Sequence, residues 1–218
     1  MKNQSKRQLR NGLLALVVSL CGCANLKQAL PAPAIIAVPM WGGSAIAPET
    51  LAQTAPQRIK YITLHHQGET WPKPSSAEVD GADVAAYLRR LQSWSRLSKR
   101  WLDIPYHYVV APDGRIYAAR PVFVAGDTNT EYQPRGHALV MLLGNFEDVE
   151  PSAAALHSTV ELMAWLAQEN GLGAEAIAAH RDFSAQTVCP GEHLYRYVEN
   201  GYFRRAVAAR LQGQVLPP

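Results

Sequence analysis

The stretch "GHALVMLLGNF" (residues 136–146) is a near-continuous run of apolar side chains. A strand with one face in water alternates apolar and polar residues, whereas a strand buried on both faces shows an unbroken apolar run. The run is therefore typical of a central strand in a sheet that is covered on both sides. We predict that the rest of the fold is arranged around it.

Three further segments predict the other strands of this sheet. Each is short, largely apolar and bounded by turn-forming residues. One of them contains Pro112-Asp113-Gly114, a sequence that favours a tight turn and so predicts a hairpin. The segments are "IKYITLHH" (59–66), "YHYVVAPDGRIYAARP" (106–121) and "AIAAH" (176–180).

Two longer segments show the apolar spacing of helices, with apolar residues three or four positions apart. They are "SAEVDGADVAAYLRRLQSWSRLSKR" (76–100) and "SAAALHSTVELMAWLAQENGLG" (152–173). In the second, Ser152 is a candidate N-cap and Gly171 or Gly173 a candidate stop. Strands and helices are interspersed around a hairpin. The predicted fold class is therefore α/β, with a central mixed β-sheet flanked by helices in a single domain.

The N-terminal residues resemble an export signal. A basic leader precedes "LLALVVSL" (13–20), an apolar run too short to span a bilayer. The next residues, "LCGC" (20–23), resemble a bacterial lipobox, which implies cleavage after Gly22 and lipidation of Cys23. Ala24 follows the cysteine in place of aspartate, and this implies an outer-membrane lipoprotein that faces the periplasm. A plain secretory signal cut nearby is the alternative.

Removal of this signal peptide (1–22) changes the charge of the chain. Of the 21 basic residues, four lie in the signal peptide together with no acidic residue, so 17 basic and 18 acidic residues remain and the net charge is −1. Nucleic-acid binding depends on a basic surface that contacts phosphates. Nucleic acid is therefore not an expected partner.

The rest of the chain divides by composition. Residues 23–57 are rich in Ala and Pro, and we interpret them as a tether followed by an N-terminal segment. Within that segment, "AIIAVPMW" (34–41) is apolar enough to pack across the domain. The folded domain is expected at 58–212, followed by a C-terminal tail at 213–218.

A lone cysteine needs an explanation in this context. If Cys23 carries lipid, Cys189 is the only thiol left, and a free thiol in an oxidising compartment is a liability unless something such as a metal occupies it. His65 and His66 end the first predicted strand and His180 ends the last. Adjacent strand residues face opposite sides, so only one of the first pair can enter a given site. Two imidazoles and one thiolate leave an open position on a tetrahedral zinc ion, which is typical of catalytic sites.

Three blocks of the sequence resemble the signature blocks of the zinc-dependent N-acetylmuramoyl-L-alanine amidases. That family includes the peptidoglycan recognition proteins and the amidase-type phage lysozymes. The blocks occur in the family's order, and the resemblance covers roughly residues 58 to 200. They are "YITLHHQGE" (61–69), "WLDIPYHYVVAPDGRIYAAR" (101–120) and "AHRDFSAQTVCPG" (179–191).

The resemblance implies a site and a reaction. One zinc ion per chain would be bound by His65, His180 and Cys189, with Tyr106 assisting catalysis beside the metal and Thr187 as a second catalytic candidate. The implied reaction is hydrolysis of the amide between N-acetylmuramic acid and L-alanine in peptidoglycan or muropeptides. We expect a monomer that is attached to the membrane through its lipid anchor.

The sequence also departs from the family's pattern. Asp127 stands where a histidine is common, and Met141 occupies the position where relatives with aspartate as third ligand often carry a glutamate base. A mechanism in which Tyr106, and not a glutamate base, assists the metal is therefore the better interpretation. Asn145 and Glu147 follow the central strand and are candidates for glycan contact. The loop between the last two predicted zinc ligands has eight residues, one more than in many relatives, which predicts a bulge.

Two other functions compete with the zinc amidase. A peptidoglycan-binding module without activity would typically lack the cysteine, so Cys189 and Tyr106 argue against it. A cysteine hydrolase would use Cys189 as nucleophile and His180 as base. We predict that His66 and His107 are structural, because each follows a candidate site residue on a strand and faces the other way.

Overall fold

A computed structural model describes residues 29–69 and 81–214. The predicted signal peptide and the predicted lipidation site at Cys23 lie outside the described residues. Six strands form one sheet, in the order β1-β4-β3-β5-β2-β6. The strands are β1 Ile35–Ile36, β2 Tyr61–His66, β3 Tyr108–Val110, β4 Ile116–Ala118, β5 His137–Leu142 and β6 Ile177–Ala179. The helices are α1 Pro48–Gln53, α2 Gly81–Leu97, α3 Ala153–Glu169, α4 Glu192–Glu199 and α5 Tyr202–Leu211.

The sheet is mixed, as its sequence predicts. β5 lies at the centre and pairs in parallel with β2 and β3, and β2 pairs in parallel with β6. β3 and β4 form the predicted antiparallel hairpin, in which Gly114 adopts φ 86° and donates its N–H to Ala111 O at 2.9 Å. A side chain at this turn would also crowd Ala154 O of α3. The position therefore requires glycine both for its positive φ and for lack of space.

The central strand separates two apolar layers. Every residue of β5 is buried, and consecutive residues such as Val140 and Met141 point into different layers. One layer packs the sheet against α3, α4 and α5. The other packs it against α2 and a 3₁₀ turn at Val38–Trp41. Burial of β5 on both faces thus explains the apolar run at 136–146, as predicted.

The predicted helices are present, with ends set by local chemistry. Ser152 accepts a hydrogen bond from Ala155 N and caps α3, and Gly171 follows the end of that helix with φ 63°. α2 is described from Gly81 onward. No helix within 29–69 and 81–214 is both long and apolar enough to cross a bilayer.

The Ala/Pro-rich segment contributes to the sheet. Ile35 and Ile36 pair in parallel with Ile116 and Tyr117 at the edge of the sheet. Trp41 is buried and donates its indole N–H to Ala118 O at 2.8 Å. The apolar stretch at 34–41 therefore packs on the domain, as predicted.

Candidate metal centre and active-site groove

Three buried side chains meet beside the ends of β2 and β6. His65 is the fifth residue of β2, His180 directly follows β6, and Cys189 lies in the next loop. One ligand atom from each lies within 4.8 Å of the others, and Cys189 Sγ is 3.7 Å from His65 Nδ1. Two imidazoles and one thiol at this separation fit the donor set of a zinc ion that keeps an open position. The predicted trio is thus brought together.

The His-Arg-Asp sequence folds the loop that brings Cys189 back to the sheet. Asp182 accepts a hydrogen bond from Ala179 N at 2.7 Å and so closes a tight turn after β6. Arg181 donates its backbone N–H to Cys189 O at 2.9 Å, and its guanidinium donates to Val188 O. One residue therefore holds both ends of the loop together, which explains how eight intervening residues are accommodated.

Gly191 forms the exit of this loop. It has φ 86°, and a Cβ there would lie 2.4 Å from the carbonyl carbon of Phe146. Only glycine can approach the backbone of residues 146–147 so closely. This packing fixes the loop against the chain that follows the central strand.

The strand-end histidines face opposite sides, as alternation predicts. The ring of His65 lies 4.6 Å from that of His180, centroid to centroid. The ring of His66 instead stacks on Phe146, and its Nδ1 accepts from Phe146 N at 3.4 Å. His66 does reach the rim of the groove, and its backbone N–H points at Cys189 Sγ at 3.4 Å.

The protonation states of His65, His180 and Cys189 suit the binding of a metal cation. Burial, followed by the charge of neighbouring His180, lowers the pKa of His65, and burial lowers the pKa of His180 to about 4. Both imidazoles are therefore neutral at pH 7, which is the form that binds metal. Burial raises the pKa of the Cys189 thiol to about 12, so without a nearby cation it stays protonated. A bound metal ion would supply that charge.

A groove of about 250 Å³ opens over the three side chains. Tyr106 and Thr187 line it together with the trio, so both predicted catalytic candidates lie beside the candidate metal site. The ring of Tyr106 lies 5.2 Å from that of His65. Thr187 Oγ1 accepts the backbone N–H of Cys189 at 3.0 Å, which leaves its hydroxyl hydrogen free to point elsewhere.

Comparison with known proteins assigns the family. A family model described as N-acetylmuramoyl-L-alanine amidase matches residues 55–192. The chain belongs to this family.

Some similar proteins are named as recognition proteins and others as amidases. Peptidoglycan-recognition protein SA of Drosophila melanogaster is 27% identical over 194 residues, which is 86% of this chain and 89% of that protein. The N-acetylmuramoyl-L-alanine amidase of Sus scrofa is 31% identical over 139 residues, 63% of this chain and 22% of that protein. Recognition proteins and amidases are therefore both among the similar proteins.

Solved structures share the fold. Drosophila peptidoglycan recognition protein SA matches with a TM-score of 0.63 at 24% identity, covering 77% of this chain and 91% of that one. The endolysin amidase LysCS from Clostridium intestinale matches with a TM-score of 0.57 at 20% identity, covering 80% and 98%. The amidase fold, with its central mixed sheet and flanking helices, is thus the fold of this chain.

The two positions at which the chain departs from the family's pattern have clear structural settings. Asp127 lines the groove and forms an ion pair with the buried guanidinium of Arg120. Met141 pairs in register with His65, is fully buried, and belongs to the apolar layer under α2. The central strand therefore offers no carboxylate base at this position of the groove.

The candidates for glycan contact, Asn145 and Glu147, do not line this groove, and their contact with glycan stays a prediction. Asn145 closes a surface turn by bonding Glu147 N and the Asp148 carboxylate. Glu147 accepts the backbone N–H of Glu192 at 3.0 Å and stabilises the start of α4. Both residues follow the central strand, but the chain there turns toward α4 and away from the groove.

His107 is structural, as predicted. Its ring is fully buried, with Nε2 2.8 Å from Val124 O and Nδ1 accepting from Leu139 N at 2.8 Å. Burial lowers its pKa to about 4. The imidazole is therefore a neutral cross-link between the central strand and the loop at residues 121–127.

Sequence reasoning missed the far wall of the groove. Thr128, Asn129, Thr130 and Trp101 line it, and Tyr132 lies just behind His65 and His180. Trp101 belongs to a block that carries the resemblance to the family, but the segment at 128–132 has neither periodicity nor motif. No signal in a single sequence would have found it.

Proposed function

We propose that this chain is a zinc-dependent amidase that cleaves the bond between N-acetylmuramic acid and L-alanine in peptidoglycan or muropeptides. The supporting observation is the juxtaposition of His65, His180 and Cys189 within 4.8 Å at the base of a groove that Tyr106 also lines. Family membership and relatives named as amidases support this class of scissile bond.

Each side chain has a definite task in this proposal. His65, His180 and Cys189 would hold one zinc ion, which when bound lowers the pKa of a coordinated water toward ~7 and polarises a carbonyl. Tyr106 would donate a hydrogen bond to the oxygen of the scissile carbonyl as negative charge develops there. Thr187 is placed to donate a second one, because its oxygen already accepts from Cys189 N.

The cysteine-hydrolase alternative has less support. A nucleophilic cysteine needs a low thiol pKa, whereas burial raises the pKa of Cys189 to about 12. The ring nitrogen that contacts its sulfur belongs to His65, at 3.7 Å, and not to the expected base His180. A metal ligand tolerates this setting because the cation itself removes the proton.

The binding-module alternative has support from the relatives named as recognition proteins. It does not explain why a buried thiol, two neutral imidazoles and the Tyr106 hydroxyl converge on one groove. Binding of an uncut ligand needs none of these. We therefore favour the amidase.

The deciding experiment compares metal removal with thiol alkylation. Purified protein is incubated with a soluble muropeptide, and release of the L-alanine amine is followed. A chelator should abolish release and added zinc should restore it, whereas the zinc-loaded protein should resist iodoacetamide. Full activity after complete metal removal contradicts the proposal, and binding without release by the zinc-loaded protein supports the binding module.

We also propose that Cys23 carries a lipid and holds the protein at the outer membrane, facing the periplasm. The leader, its short apolar core and the lipobox-like "LCGC" support this proposal. Cys23→Ser should abolish lipid labelling and release the protein from the membrane fraction. A variant that still sediments with membranes contradicts it.

A further inference from the structure

A short segment, "TNTEY" (128–132), contacts both imidazoles of the candidate metal centre. Thr130 Oγ1 lies 2.9 Å from His180 Nε2, and Tyr132 OH lies 3.5 Å from His65 Nε2. The other nitrogen of His65, Nδ1, is the one that faces Cys189 Sγ. In both rings, therefore, Nε2 is engaged by a hydroxyl and Nδ1 is the nitrogen left for a metal.

The hydrogen bonds around Thr130 allow one set of directions that satisfies every partner. Thr128 Oγ1 accepts the backbone N–H of Thr130 at 3.1 Å and lies 2.8 Å from Thr130 Oγ1. If the Thr130 hydroxyl donates to Thr128, its oxygen can accept the Nε2–H of His180. That arrangement keeps Nδ1 of His180 free of hydrogen, which is the state that a metal requires.

The segment is also fastened to the loop that carries the other ligands. The Glu131 carboxylate accepts the Ser184 hydroxyl at 2.6 Å and the Ala185 N–H at 2.9 Å. Both partners lie between His180 and Cys189 in the chain. Through its neighbour Glu131, Thr130 is therefore tied by two hydrogen bonds to the loop that follows His180.

We infer that Thr130 is a positioning residue, which fixes the tautomer and ring orientation of His180 through the Thr128–Thr130–His180 chain of hydrogen bonds. This inference rests on the proposed function only in requiring that His180 binds the metal. Outer partners of metal-ligating histidines are usually carboxylates, backbone carbonyls or water, and their loss weakens metal binding by 10- to 100-fold in general. Here a pair of threonine hydroxyls takes that place.

The test removes the hydroxyl while keeping the shape of the side chain. In Thr130→Val the affinity for zinc, measured by competition with a chelator, should fall by ~10- to 100-fold. Thr130→Ser keeps the hydroxyl and should restore affinity to within ~3-fold. Thr54→Val makes the same chemical change at the end of α1, where the hydroxyl bonds Thr50 O, and serves as the matched control.

A second readout reports on ligand geometry. The visible absorption spectrum of the cobalt-substituted protein should shift in Thr130→Val and return in Thr130→Ser. Thr128→Val removes the acceptor without touching the neighbour of His180, and should lower zinc affinity by a smaller factor of ~2 to 5. This variant also carries the test if Thr130→Val fails to fold, which the melting temperature of the metal-free protein shows.

The outcomes separate this inference from the proposed function. Unchanged zinc affinity in both Thr130→Val and Thr128→Val overturns the inference while wild-type zinc binding stands. Equal losses in Thr130→Val and Thr130→Ser also overturn it, because the effect then follows packing and not the hydroxyl. A wild-type protein that binds no zinc overturns the proposed function first, and this inference with it.

Discussion

Replacement of Tyr106 by phenylalanine removes a single oxygen from the groove and leaves the aromatic ring. No residue in the described ranges 29–69 and 81–214 hydrogen-bonds the Tyr106 hydroxyl, although the ring packs beside His65. The hydroxyl is therefore available to a substrate without breaking an existing bond. Because no structural hydrogen bond is lost, the fold and the zinc content of Tyr106→Phe should match the wild type.

The expected loss of rate comes from the role of the hydroxyl as a donor to developing negative charge. Removal of one such donor generally costs ~10²- to 10³-fold in kcat, or ~2.7 to 4 kcal/mol. Burial, followed by the charge of neighbouring Cys189, raises the pKa of Tyr106 well above its usual 10, so the hydroxyl keeps its proton throughout the working range. The pH profile of Tyr106→Phe should therefore have the shape of the wild-type profile up to pH ~10, at a lower level.

The assay measures kcat on a soluble muropeptide, together with zinc content and melting temperature. Tyr202→Phe is the matched control, because Tyr202 lies on α5 and packs among aromatic residues of the opposite layer. A kcat within ~3-fold of wild type in zinc-loaded Tyr106→Phe would refute the catalytic role. A loss that coincides with lost zinc would instead assign Tyr106 to the structure of the metal site.

Three further outcomes are expected. His65→Ala should lose zinc, whereas His66→Ala should retain it, as metal analysis would show; the reverse result would move the ligand to His66. Cys189→Ser should fold but lose zinc and activity, while Cys189→Asp should recover part of the zinc, since carboxylate is a legitimate ligand; activity in the Asp variant excludes a thiol nucleophile. Burial lowers the pKa of His107 from 6.5 to about 4. The neutral imidazole therefore contributes its full stabilisation above pH 6.5. As the pH falls toward 4, the free energy of unfolding should decrease by up to ~3 kcal/mol. Denaturant unfolding of His107→Gln should show a weaker pH dependence over that interval than His157→Gln, the control on α3, and equal slopes would contradict this.

The fold was largely predictable because its elements are locally encoded. The double burial of β5 appears as an unbroken apolar run, and the β3–β4 turn appears as Pro112-Asp113-Gly114. The candidate metal trio was predictable for a different reason: His65 lies near the end of a strand, and His180 and Cys189 bracket a sequence that resembles a signature block of the family. Each of these features depends on a few neighbouring residues.

The far wall of the groove was not predictable because it depends on contacts distant in sequence. Thr130 lies 50 residues before His180, and no periodic pattern links the two positions. The positions of Asn145 and Glu147 outside this groove depend on such distant contacts as well. Proximity to the central strand in sequence does not determine whether the chain turns toward the groove or toward α4.

The charges at the groove limit how its chemistry can work. Of the described residues that line the groove, Asp127 is the one carboxylate, and it already neutralises the buried guanidinium of Arg120. Release of this carboxylate to act as a base would leave Arg120 with an unpaired buried charge, at a cost of several kcal/mol. Met141 removes the other expected position for a base. Two neutral imidazoles and one thiolate would leave a bound zinc ion with a net charge of +1, and in the proposed mechanism the hydroxyls of Tyr106 and Thr187 would add donors for developing negative charge. The arrangement therefore favours a reaction whose barrier is lowered by metal and hydroxyl donors, not by a carboxylate that titrates.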